Sequence, residues 1–193
     1  MSDFLSETKL SSTELLKGNL LHVFRDQVRL PNQAVALREY VVHPGAVMVV
    51  PFLEEAQGQI KLVLERQFRY PIGRIMIEFP AGKLDTGEAC FDCAVRELRE
   101  ETGYLAQQWA HVGVLHPLIA YSTEFIDIWF ARHLTLGARQ LDEGEFLEVF
   151  AVSPEQLLLM CQNGSITDAK TLVAALWVQN FLSGNWPLEW KTL

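Results

Sequence analysis

Cysteine is scarce: three residues in a chain of 193, at positions 90, 93 and 161, are too few and odd in number for a disulfide framework, which points to a reducing compartment. Long apolar runs are missing too. The longest, GAVMVVPFL at 45–53, falls well short of the ~20 residues a membrane-spanning helix needs. The N-terminal MSDFLSETKL lacks a basic segment followed by an apolar one, so no export signal is expected. Positive charge is in deficit, with 16 Lys and Arg against 24 Asp and Glu and a formal net charge of −8. Nucleic acid and anionic lipid both bind to basic surfaces, so neither is an expected partner. There are no internal repeats, low-complexity tracts or long linkers. Together these absences predict a soluble, cytoplasmic, globular protein.

What is present is ample core material: 49% hydrophobic residues, with five Trp and eleven Phe. Residues 1–18 are polar and mixed and read as a flexible arm or a short helix. LLHVFRDQVRL and AVALREYVV, rich in branched and aromatic residues and separated by the turn signal PNQ, predict an antiparallel hairpin over 19–42. HPG at 43–45 marks a boundary, dividing an N-terminal region, 1–44, from a main domain, 45–193. In the main domain AVMVVPFL and IKLVLERQF read as core strands around the turn-like EEAQGQ. A Pro- and Gly-punctuated stretch from Tyr70 to Gly87 leads to a helix over Ala89–Thr102, which Gly103 can end in the left-handed conformation. Strands are expected near 109–116, 124–132 and 146–152. SPEQLLLMCQNG predicts a helix with Ser153 as N-cap and Pro154 at its first position, and TDAKTLVAALWVQNFL a last helix. The order of elements predicts an α/β (α+β) fold, a mixed sheet covered by helices. Cys90 and Cys93 form a CxxC, but no second pair or nearby His pair completes a zinc site, and they read as small apolar residues near a helix start.

RELREETG, residues 96–103, crowds Glu97, Glu100 and Glu101 into a sector of about 100° on a helix, apart from Phe91, Ala94, Val95 and Leu98. Like charges at this spacing destabilise a helix by only about 0.2–0.5 kcal/mol per pair. A solvated acidic face, partly balanced by Arg96 and Arg99, is therefore one reading. The other is a metal site, because oxygen ligands on one rigid face suit hard divalent cations. The preceding loop, PAGKLDTGE, is too long for a tight turn and carries the Gly and Pro of a segment that approaches a ligand with its backbone.

GKLDTGEACFDCAVRELREETGY resembles the Nudix box at each defined position. Gly82 is followed after five residues by Glu88, after seven more by Arg96-Glu97-Leu98, then by Glu100-Glu101 and Gly103; Tyr104 stands where an aliphatic residue is usual. The resemblance implies a Nudix-type α/β/α sandwich and hydrolysis of a diphosphate linked to another moiety, with Mg²⁺, or Mn²⁺, as cofactor. It implies Glu97, Glu100, Glu101 and the Ala81 carbonyl as metal ligands, with Glu100 also among the catalytic carboxylates. Gly82, Glu88, Arg96 and Gly103 would then be structural members of the motif. An acidic protein needs such a cation to approach a pyrophosphate, and the cation also activates water.

Resemblance to the ADP-ribose pyrophosphatases and related nucleoside-diphosphate-sugar hydrolases extends over most of the chain, through HPGAVMVVP, ERQFRYP, EFPAGKLDTGE, YSTEF, DEGEFLEV and GSITDAKTLVAAL. It implies an N-terminal β piece that mediates a homodimer. It implies substrate contacts from Arg69, Glu78 and Glu124, while Arg66 and Arg74 read as surface ion-pairing residues. It also implies a catalytic base in the acidic loop LDEGEFLEV, where Glu143 matches best by position and Glu145 is the alternative. One departure bears on the substrate: Ile119-Ala120 occupies the place of the subgroup's Pro-Gly, with Pro117 two positions early. The expected reaction is cleavage of ADP-ribose to AMP and ribose 5-phosphate. GDP-mannose, another nucleoside-diphosphate sugar or a dinucleoside polyphosphate are alternative substrates, and a catalytically silent nucleotide-sugar-binding regulator is the reading outside enzymes.

Overall fold

The computed structural model describes residues 3–55, 58–141 and 144–193. The chain forms two compact units, one from the segment up to Gly45 together with His116–Phe125, the other from Ala46–Leu115 and Ile126–Leu193.

The first unit is a three-stranded antiparallel sheet in the order β1 (Thr8–Lys17), β2 (His22–Arg29), β3 (Val35–Val42). Its β2–β3 hairpin turns at PNQ, where the Leu30 N–H donates to the Ala34 carbonyl at 2.8 Å. The expectation of an arm or short helix over 1–18 is corrected: apart from a single 3₁₀ turn at Asp3–Leu5, this segment is largely strand. All ten residues of β1 are exposed, so no buried face imprints an alternating pattern on its sequence. Asp26 ties the three strands together. It is 5% exposed and accepts hydrogen bonds from Ser12 of β1 at 2.5 Å and Tyr40 of β3 at 3.0 Å, with Lys9 3.2 Å away.

The second unit is built on an eight-stranded mixed sheet. Its path runs β10 (Leu147–Val152), β5 (Ile60–Arg69), β4 (Ala46–Glu54), β9 (Ile126–Leu136), β8 (Tyr104–Leu115), β11 (Lys191–Thr192), while β6 (Arg74–Glu78) pairs with β5 and β7 (Ala81–Lys83) with β4. Only β4 and β9 run parallel among these pairs. β4 is buried on both faces, which explains its unbroken apolar run. Met48, Val50 and Phe52 point toward helices α2 (Pro154–Gln162) and α3 (Ala169–Leu182), packing with Leu157, Ala174 and Val178. Val47 and Val49 point the other way, to Cys93, Ala94 and Leu98 of α1 (Cys90–Thr102) and to Trp109. Each such fully buried side chain contributes about 1.5–3 kcal/mol. The result is an α/β/α sandwich, as expected.

The helix boundaries follow local chemistry. α1 ends at Gly103, whose φ of 77° is left-handed and whose N–H bonds to the Arg99 carbonyl. α2 opens with a full capping box between Ser153 and Gln156 and has Pro154 at its first position. Among the described residues no helix is long and apolar enough to cross a membrane. Cys90 and Cys93 are free; Cys93 is buried, and desolvation pushes its thiol well above the usual range, consistent with a packing role.

Candidate active site

β7 and the inner face of α1 build the site. The acidic stripe of α1 is not a solvated face: Glu97 is 9% exposed and Glu101 3%. Glu101 Oε2 accepts a hydrogen bond from the Ala81 N–H at 2.9 Å. Gly82, the next residue, lies so close to Glu97 that a Cβ there would fall 1.9 Å from the carboxyl carbon. Glycine is therefore required by close approach of a carboxylate to the backbone, here at φ values any residue can adopt.

Arg96 organises the outer carboxylates. Its Nε and Nη2 donate to Glu88 at 2.8 and 2.9 Å, while Nη1 donates to Glu97 Oε1 at 2.7 Å and Glu100 Oε2 at 3.0 Å. Glu88 also accepts from the Asp85 N–H at 3.0 Å, closing the loop before α1. The bonds from Arg96 lower the Glu88 pKa to about 2. Glu97 goes the other way, up to about 7, because burial outweighs the nearby Arg96 charge. Glu101 is raised too, first by burial and then by the charges of Glu65 and Glu97.

Arg69 and Glu78, expected as separate substrate contacts, engage each other. Arg69 Nε and Nη2 donate to the two Glu78 oxygens at 2.7 and 2.9 Å across the β5–β6 hairpin. Lys170, in the first turn of α3, also donates to Glu78 and reaches Asp168 at 3.1 Å. Burial opposes ionisation of Glu78, but these two cations hold its pKa below the usual carboxylate value. Arg66 pairs with Glu148 at 3.1 Å and lies 3.9 Å over the Phe150 ring, and Arg74 donates to Thr167.

Glu145 accepts a hydrogen bond from Gln67 at 3.2 Å, and its charge acts on Glu65, Glu97 and Glu101. Glu143 lies outside the described residues. Glu124 belongs to the first unit, where its N–H donates to Ser122 at 3.1 Å. Two participants were not anticipated from sequence. Lys170 stands in the last helix with no motif to mark it, and Glu65, fully buried on β5, opens the stretch ERQFR that carries Arg66 and Arg69. A carboxylate directly after the apolar run Leu62-Val63-Leu64 is the available signal. A cavity of about 670 Å³, lined by Phe91, Trp109, His111 and Trp129 among others, involves none of the expected site residues.

The donor set fits a hard divalent cation. It consists of carboxylate oxygens on a rigid helix, and two of them already share one cationic atom, Arg96 Nη1. The close Gly82 approach leaves Glu97 room against the β7 backbone. Among the described residues no three acidic, His or Cys side chains converge on one point; Arg96 occupies the space between Glu97 and Glu100, and Glu101 accepts from the Ala81 N–H.

A NUDIX domain model matches residues 42–174, and a nucleoside diphosphate sugar hydrolase N-terminal domain model matches residues 7–41. The chain belongs to the Nudix family. Among its relatives, the ADP-ribose pyrophosphatase of Bacillus subtilis (strain 168) is 34% identical over 177 residues, 91% of this chain and 94% of that protein. The methanol dehydrogenase activator of Bacillus methanolicus is 32% identical over 181 residues, covering 93% and 96% of the two chains. A crystal structure of an ADP compounds hydrolase matches with a TM-score of 0.83 over 95% of this chain and 98% of the other; at 22% identity this likeness shows a shared fold.

Proposed function

We propose that this Nudix pyrophosphohydrolase cleaves the diphosphate of an ADP-sugar, with ADP-ribose giving AMP and ribose 5-phosphate. The observation that carries this reading is the pair of buried glutamates, Glu97 and Glu101, held against the Ala81-Gly82 backbone in a chain that aligns over nearly its whole length with an ADP-ribose pyrophosphatase. Glu97, Glu100 and Glu101, with the Ala81 carbonyl, would hold Mg²⁺, or Mn²⁺ in its place. A bound divalent cation supplies charge neutralisation of the diphosphate and acidification of water.

The remaining steps fall to the chain's own groups. Arg96 holds the Glu97 and Glu100 carboxylates in place, as a partner behind a ligand does. Glu143 or Glu145 accepts the proton of the attacking water; Gln67 holds the Glu145 carboxylate by a hydrogen bond. Arg69, half-buried, pairs with the buried Glu78, and Glu78, bonded to both Arg69 and Lys170, serves to aim the Arg69 guanidinium at a phosphate. Glu124 serves the terminal ribose. A homodimer through the N-terminal region is part of this proposal, supported by exposed Leu10, Leu16, Val35 and Leu37 on the three-stranded sheet.

The test is a substrate panel with Mg²⁺ and with Mn²⁺: ADP-ribose, GDP-mannose, NADH, diadenosine polyphosphates and nucleoside triphosphates, followed by product identification. ADP-ribose or another ADP-sugar is expected to give the highest kcat/KM; preferential cleavage of nucleoside triphosphates would overturn the assignment. The name of the activator relative motivates a second reading, a regulator, here one that would bind a nucleotide sugar without cleaving it. Tight ADP-ribose binding by isothermal titration with no AMP release would select it, although the full set of motif glutamates weighs toward catalysis.

A further inference from the structure

β5 carries one carboxyl group into the interior where nothing answers it. Glu65 is 0% exposed, and among the described residues neither of its oxygens has a hydrogen-bond partner. The neighbouring cations are engaged elsewhere: Arg69 donates twice to Glu78, and Lys170 donates to Glu78 and Asp168. Glu78 is the residue opposite Glu65 across the β5–β6 ladder, so the group facing it there is a second carboxylate already satisfied. On the side of α1 stands Glu101, itself buried, whose free oxygen is not bonded to Glu65.

An unpartnered buried carboxyl group opposes folding, and an apolar residue at this strand position would pack at no such cost. Glu65 and Glu101 act on each other electrostatically yet share no hydrogen bond, and a small cation answers two such buried carboxyl groups better than a neutral group does. Oxygen-only donors on two rigid elements suit a hard divalent ion.

We propose that Glu65 is a further metal-binding residue, closing from β5 the cation seat that Glu101 closes from α1. The inference rests on the metal-site reading of Glu97, Glu100 and Glu101 given above. It adds a ligand from outside the 82–104 motif, and so ties the strand bearing Arg69 directly to the cation.

Mn²⁺ titrated calorimetrically into the full-length, metal-free protein tests this, together with thermal melts in the presence and absence of Mn²⁺. Glu65→Gln keeps the shape and Glu65→Leu removes the polar group. Both are expected to bind Mn²⁺ about tenfold or more weakly than the wild type. Both are also expected to melt, without metal, at or above the wild-type temperature, and to lose most of the metal-induced rise. Affinities within twofold of wild type for both variants would overturn the inference. Glu101→Gln is the control. If it too binds Mn²⁺ as the wild type does, the metal-site reading itself fails; if it alone loses affinity, only the role of Glu65 fails. Should Glu65→Leu not fold, Glu65→Gln decides.

Discussion

Gly82 and Glu97 show how a single missing Cβ shapes this site. A methyl group at position 82 would overlap the Glu97 carboxyl, so Gly82→Ala must displace either β7 or the glutamate. Urea unfolding is expected to report a loss of about 1–3 kcal/mol, the range of small overpacking changes. Mg²⁺-dependent turnover should fall in parallel, whereas unchanged turnover would detach Gly82 from the site. Glu88 and Arg96 make a second residue-level prediction, about pH. The Glu88 pKa is lowered from 4.5 to about 2 by its hydrogen bonds with Arg96, so its contribution is complete above pH 4.5 and is lost as pH falls toward 2. Glu88→Gln should therefore weaken the protein at pH 6 while flattening the decline of stability between pH 4.5 and 2; an unaltered acid limb contradicts the pairing. Burial of Glu97 has the opposite sign. Its pKa is raised to about 7, so this group makes the metal-free protein less stable as pH rises from 4.5 through 7. At this scale the sequence was readable where identity and spacing suffice, as for Gly82, Glu88 and the three motif glutamates. It was not readable for Glu65, because burial of a strand glutamate depends on which neighbours the sheet brings to both of its faces.

Elements differ in how much of their structure is locally encoded. α2 is written in its own residues: Ser153 and Gln156 cap each other and Pro154 sets the first turn, all within four positions. Ser153→Ala should cost about 1 kcal/mol in stability by thermal or chemical unfolding and leave kcat unchanged. A large effect on kcat would mean that α2 supports the site more directly than its packing indicates. α1 is equally legible, from its amphipathic period to the left-handed Gly103. β1 is the counter-example. TKLSSTELLK is exposed throughout, and its strand state comes from pairing with β2, with two register shifts, rather than from any hydrophobic alternation. The Arg69–Glu78 pair is likewise a product of pairing, since the β5–β6 hairpin brings residues nine positions apart into bidentate contact.

The whole molecule carries a net charge of −8 and yet is assigned an anionic substrate. Long-range attraction is therefore not the means of capture, and the local cations Arg69, Lys170 and Arg96 are all committed to carboxylates. In the proposed reading a divalent ion therefore supplies most of the charge reversal at the site, beside the Arg69 guanidinium that Glu78 aims at a phosphate. The proposed dimer belongs to this scale too. Size-exclusion chromatography with light scattering should give twice the 21.9 kDa chain mass. Replacing Leu10 and Leu37 by Glu is expected to shift that mass to the monomer, and a monomeric wild type would remove the dimer from the proposal. The broad architecture could be read ahead of the structure because strand and helix signals alternate clearly from Ala46 onward. The division of the chain could not be read in full, because His116–Phe125 joins the N-terminal sheet through long-range contacts such as the bond from the Val41 N–H to the Tyr121 carbonyl.

The most direct measurement is the release of AMP and ribose 5-phosphate from ADP-ribose by the wild type and by Glu101→Gln, with and without Mg²⁺. The wild type is expected to form both products in equal amounts and only with the metal. Glu101→Gln, folded by circular dichroism, should be slower by more than about 100-fold, beyond the effect of losing a residue that merely supports a ligand. Near-normal turnover by Glu101→Gln, or turnover by the wild type that persists in the presence of a chelator, would contradict the account.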